Sequence, residues 1–145
     1  MNYLIDTCVL FPTVMRTILL EAVKSKHDSA FWSEKILSEW SASAKKVGEL
    51  GQLQADAEIS ILRANWPNSI IGFSLELEDS LYLPDLNDRH VLAAAIAGKC
   101  DAIITLNKKD FPRKILDHYG LIRVDPDHII LEYLKHVKSF FHAST

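Results

Sequence analysis

The chain has 145 residues, 48% of them hydrophobic and 24% charged, with a net charge of −3. This fits one globular domain over residues 1–145 with a full core, and it excludes a globally basic nucleic-acid binder. The two cysteines, Cys8 and Cys100, match neither a disulfide framework nor a structural zinc site. With no signal-like start and no apolar run of the ~20 residues needed to span a bilayer, they point to an unprocessed, soluble, cytoplasmic protein without a membrane partner.

Tyr3 to Ile5 reads as a buried strand, and Val14, Ile18, Leu19, Ala22 and Val23 then recur at helical spacing through a segment ending near Lys24 to Lys26. Ala30 to Trp32 is a second short strand. Ser33 is an N-cap for a helix carrying Ile36, Leu37, Trp40, Ala44 and Val47, with Gly48 as its stop. A helix over Gln52 to Asn65 follows, ended by Trp66-Pro67-Asn68, and Ile70 to Phe73 is a third strand candidate. Arg89 to Ala97 is the clearest helix, with Asp88 at its start and Gly98 near its end. Ala102 to Thr105 reads as a strand, Pro112 to Tyr119 as a short helix, Leu121 to Val124 as a strand, and Pro126 to about Phe140 as the closing helix. Strands alternating with helices predict an α/β fold with a mainly parallel sheet, right-handed crossovers and helices on both faces.

In such a sheet, residues just past the strand C-termini converge on one edge. Asp6 occupies such a place, as does Asp110 after the strand ending at Thr105, and a further acidic cluster, Asp85 to Asp88, lies between them in the chain. Carboxylates packed together repel and take up protons unless a hard cation such as Mg²⁺ or Mn²⁺ compensates them. Asp6 lies between Ile5 and Val9, where the core begins, and an uncompensated carboxylate there is expensive to bury, which weighs for function. Glu39 flanks the apolar stripe of Ile36 and Trp40, so both solvated surface and function fit it. Glu34, nearer the helix start, reads as a partner of the helix N-terminus.

Asp88 has a structural reading as an N-cap, and Asp85, after Pro84, as a turn former. Asp110 has one as the cap of the helix that begins at Pro112, with Asn107 in a polar loop. Thr105 is a candidate to hold a phosphate or a water at an ion. Lys108 and Lys109 are solvated charges in the bland reading and contacts to a nucleic-acid backbone in the functional one. For Arg16 the alternatives are a snorkelling surface residue and a phosphate contact. His90 reads as a structural hydrogen-bonder rather than a base, and Cys8 lacks a histidine placed to activate it.

The acids among these residues, with Thr105 and Asn107, fall in four stretches: Leu4-Ile5-Asp6-Thr7, Trp32 to Trp40, Pro84-Asp85-Leu86-Asn87-Asp88-Arg89-His90-Val91 running into Ala93-Ala94-Ala95, and Ile104 to Pro112. Together they strongly resemble the PIN-domain ribonucleases over nearly the whole chain. The resemblance implies a three-layer α/β/α fold and an acidic pocket that binds Mg²⁺ or Mn²⁺ for hydrolysis of RNA phosphodiesters. Carried over by position, Asp6, Glu39 and Asp88 are its main metal-site and catalytic acids, with Asp110 a further candidate. Arg16, Thr105, Asn107, Lys108 and Lys109 are the expected substrate contacts. Where many PIN domains place a fourth acid soon after the threonine, this chain has Asn107, and its acid arrives later at Asp110. The resemblance also suggests the toxin of a toxin–antitoxin pair, with an antitoxin protein and a homodimer as partners.

Two rivals stand beside this reading. An aspartyl-nucleophile phosphatase also begins with an aspartate after its first strand, yet usually carries a second two residues later, where this chain has Cys8. A degenerate PIN domain that binds RNA or a protein partner without cutting is motivated by Asn107.

Overall fold

The computed structural model describes residues 1–143. Four strands, β1 (Asn2–Ile5), β2 (Ser29–Phe31), β3 (Ala102–Ile104) and β4 (Ile122–Val124), form one parallel sheet in the order β2-β1-β3-β4. Consecutive strand residues face opposite sides of a sheet, and Tyr3, Leu4 and Ile5 are all buried, as are Ala102, Ile103 and Ile104. Both faces are therefore covered, as an α/β/α arrangement requires. The helices are α1 (Thr7–Leu10), α2 (Thr13–Ser25), α3 (Glu34–Lys45), α4 (Glu49–Asn65), α5 (Leu75–Ser80), α6 (Arg89–Ala97), α7 (Arg113–His118) and α8 (Pro126–Ala143). The alanines of α6, Ala93 to Ala95, are fully buried, and their small side chains allow this helix to lie close on β1 and β3. Among the described residues, no helix is long and apolar enough to cross a membrane.

The strand order has a functional consequence. From β1 the chain crosses to β2 on one side, whereas β3 lies on the other, so the sheet has a topological switch point between β1 and β3. Connections leave in opposite directions there, opening a crevice at the strand C-termini. Asp6 and Thr105 are the residues that follow those two strands, and Asp6 N–H bonds to Ile104 O across the gap at 3.1 Å.

Several local expectations need correction. The strand over Ile70 to Phe73 reduces to a single parallel bridge between Trp32 and Ile70. Ser33 caps α3 immediately after Trp32, its hydroxyl accepting from Ile36 N–H at 3.2 Å, so no further residues remain for the segment to pair with. Val47 is 79% exposed rather than inward, because α3 ends at Lys45 and Val47 falls in the turn to α4. That turn uses the positive φ of Gly48, 130°, and α4 starts at Glu49 rather than Gln52. Gly51 inside its first turn had masked the earlier start.

Candidate active site

Asp6 ends β1 and opens α1, a position that fixes its carboxylate from both sides. Its Oδ1 accepts from Thr7 N–H at 2.8 Å, the N-terminal amide of α1. Its Oδ2 accepts from the Thr105 hydroxyl at 2.9 Å, and the Cys8 thiol approaches the same oxygen at 3.6 Å. Asp6 is only 6% exposed. Burial raises its pKa above the ordinary carboxylate value, and these hydrogen bonds only partly offset that effect.

Asp88 reaches the cleft from the start of α6. A 3₁₀ turn over Leu86–Asp88 leads into α6, and Asp85 takes the capping role, accepting from Asn87 N–H at 2.9 Å. Asp88 makes no side-chain cap bond, so the structural reading of this residue does not hold. Its Oδ2 is buried without a hydrogen-bond partner. Burial, followed by the charges of Asp6, Asp110 and Asp85, pushes its pKa up to about 6. Glu39 enters from α3, with Oε1 2.8 Å from the buried His90 Nε2 and 3.5 Å from the Thr7 hydroxyl. Asp6, Glu39 and Asp88 together line one open cleft of about 380 Å³, with Thr7, Cys8, Ser43 and Asn107 among its other walls.

The remaining expected residues divide. Asn107 lines the cleft, its N–H donating to Thr105 Oγ1 at 3.0 Å, whereas Asp110 acts on the site through its charge on Asp88 and a side-chain hydrogen bond with it. Asp110 does not cap α7, whose N-cap position is Pro112 without a side-chain bond. Lys108 and Lys109 are exposed on the 3₁₀ turn Lys108–Asp110, Lys108 standing 4.0 Å from Asp125.

Thr105 is fully buried and spends its hydroxyl on Asp6, so it orients that carboxylate instead of meeting a substrate. Arg16 is likewise a correction. It is buried, donates to Leu10 O at 2.6 Å and Phe11 O at 3.2 Å, pairs with Glu58 at 3.3 Å and lies 4.5 Å from the Trp40 ring centroid. A guanidinium so committed ties α2 to α3 and α4 and presents nothing to a phosphate. Glu34 is a surface residue held by Arg63 through two 2.6 Å bonds.

Sequence reasoning missed Arg123, whose Nη1 donates to Lys108 O at 2.9 Å and Phe111 O at 3.0 Å and so pins the loop bearing Asn107 and Asp110. Only the pairing of β4 beside β3 places it there, and no local signal announces it. Cys8 does line the cleft, but burial, then the Asp6 charge, pushes its thiol up to about 11, which makes it a poor nucleophile near neutral pH.

The donor set suits a hard divalent cation: carboxylate oxygens, one of them buried and unpartnered, and two aspartates whose pKa values are raised. Among the described residues no three His, Cys, Asp or Glu side chains stand close enough to enclose an ion.

Comparison with known proteins adds two findings. The profile of the family described as PIN domain matches residues 2–109. A stretch of 47 residues is 43% identical to VapC50 of Mycobacterium tuberculosis, whose name carries a provisional ribonuclease assignment; it covers 32% of this chain and 28% of that protein. No solved structure matches significantly.

Proposed function

The chain belongs to the PIN-domain family, and from that premise we propose that it is a divalent-metal-dependent endoribonuclease hydrolysing RNA phosphodiester bonds. The observation that carries this reading is Asp88 Oδ2, buried and unpartnered in a cleft whose other walls hold Asp6 and Glu39. Asp6, Glu39 and Asp88 would hold Mg²⁺ or Mn²⁺, with Asp110 biasing the site through its charge. When bound, the ion supplies Lewis-acid polarisation of the scissile phosphate and a nucleophile at neutral pH.

The chain's own residues do the positioning. Thr105 and the Thr7 amide fix the Asp6 carboxylate, and Arg123 fixes the loop that brings Asn107 to the cleft. Lys108 and Lys109 lie on that loop as exposed cations suited to an RNA backbone, giving salt-sensitive binding with little base preference. Asn107 offers a neutral amide to substrate. No covalent enzyme intermediate is required, in keeping with the raised thiol of Cys8.

Mn²⁺-dependent RNA cleavage tests the proposal. Asp6→Asn is expected to lower it by roughly 10²-fold or more while leaving the circular dichroism spectrum unchanged. Undiminished cleavage by that variant sinks the assignment. The non-cutting alternative draws on Asn107 and on the open spacing of the acids; absence of Mn²⁺ uptake at millimolar concentration would favour it. A trapped phosphoryl group on Asp6 would revive the phosphatase rival.

By the family resemblance, we extend the proposal to a toxin neutralised by an antitoxin protein and acting as a cytoplasmic homodimer. Growth arrest on expression, relieved by the product of a neighbouring gene, tests the first part. Sedimentation tests the second.

A further inference from the structure

We propose that His90 is a positioning residue: from the start of α6, its buried imidazole holds the Glu39 carboxylate of α3 at the site. The inference rests on the metal-nuclease reading for its consequence, though not for the contact itself.

His90 is only 1% exposed, and its Nε2 lies 2.8 Å from Glu39 Oε1. The approach is short but bent away from an aligned hydrogen bond, and neither ring nitrogen has another partner. A buried imidazole must donate from at least one nitrogen, and Glu39 is the acceptor in reach. The tautomer with its proton on Nδ1 would set two lone-pair-bearing atoms 2.8 Å apart, so the contact selects a proton on Nε2.

Glu39 needs such a restraint. Its side chain is 44% exposed, and a glutamate so placed on a helix surface loses rotamer freedom when it is fixed over a site. The Thr7 hydroxyl, at 3.5 Å and shared with Ile36 O at 3.3 Å, is too weak a restraint alone. His90 also lies two positions beyond Asp88. One helix start thus delivers one acid of the cleft, Asp88, and a clamp for a second, Glu39.

The test compares His90→Leu and His90→Gln in the intact protein and in a Glu39→Gln background. Thermal melting of each variant checks that it is folded. In metal-free wild type, ¹⁵N NMR is expected to show a protonated His90 Nε2 whose resonance moves in Glu39→Gln; an unmoved resonance overturns the contact. By calorimetry with Mn²⁺ alone, His90→Leu should weaken binding about 10–100-fold. His90→Gln, which places an amide N–H near the position of Nε2, should restore most of it. In the Glu39→Gln background, His90→Leu should cost less than about twofold more, as expected for residues acting through one contact. Equal losses in both backgrounds, or an unchanged Mn²⁺ affinity in His90→Leu, overturn the proposal. Failure of the wild type to take up Mn²⁺ defeats the nuclease reading instead, and the NMR result then decides the His90–Glu39 contact on its own.

Discussion

Replacing Asp88 by Asn should make the metal-free protein more stable while destroying its site. The Asp88 carboxyl is pushed up to about 6, by burial first and then by Asp6, Asp110 and Asp85, against about 3.9 in an unfolded chain. Between those values the folded state keeps a proton that the unfolded state releases. The stability from this group is therefore complete below about pH 4 and is lost as pH rises through about 6. A gap of about two pH units is worth about 3 kcal/mol, and because Asp88 is only partly buried, solvent screening reduces this to about 1–2 kcal/mol. Asp88→Asn removes the ionisation, so at pH 7 its Tm should exceed that of the wild type by about 3–8 °C. Its fall in Tm from pH 4 to pH 7 should be shallower but not absent, because Asp6 is also raised. Scanning calorimetry of both proteins without metal measures this, and added Mn²⁺ should raise Tm in the wild type only. A variant Tm at or below the wild-type value at pH 7, with the same pH slope, would refute the view of Asp88 as an uncompensated charge.

Three other outcomes follow from the geometry. Thr105→Val deletes the hydroxyl that donates to Asp6 Oδ2; urea unfolding should show a loss of roughly 1–3 kcal/mol, and Mn²⁺-dependent cleavage should fall about 10–100-fold. Arg16→Ala should cost roughly 2–3 kcal/mol, because it breaks a buried pair and leaves two carbonyls without their donor, while KM for RNA stays unchanged; a higher KM at unchanged stability would return Arg16 to the substrate face. Lys109→Ala should weaken RNA binding by a similar factor for different sequences and lower the slope of log affinity against log salt by about one; an unchanged slope removes this loop from the RNA path.

The strands, the Ser33 cap and the regular alternation of elements were readable because each follows from a few neighbouring residues. The meeting of Asp6, Glu39 and Asp88 was readable too, since strand C-termini in a parallel sheet share one edge and the resemblance supplied the helix positions. The competition between Asp85 and Asp88 for the turn before α6 was not, because both aspartates carry the same local signal and only the 3₁₀ geometry decides which oxygen caps. Arg16 resembles a surface residue by its helical position; its burial depends on Glu58 from α4 and Trp40 from α3. Thr105, Arg123 and His90 follow the same rule, each defined by a partner on another element. The failed strand at Ile70 shows the converse: its β-type residues were sound, but the chain it meets at Trp32 turns into α3 at Ser33, which leaves a single bridge.

The proposed divalent-cation site unites Asp6 at the end of β1 with Glu39 of α3 and Asp88 at the start of α6. A crystal soaked in Mn²⁺ tests it most directly through the anomalous difference density. A peak is expected within coordination distance of both Asp6 and Asp88, on the Glu39 side of the cleft. A cleft without a peak at saturating Mn²⁺, or a peak bound only by residues elsewhere on the surface, would contradict it.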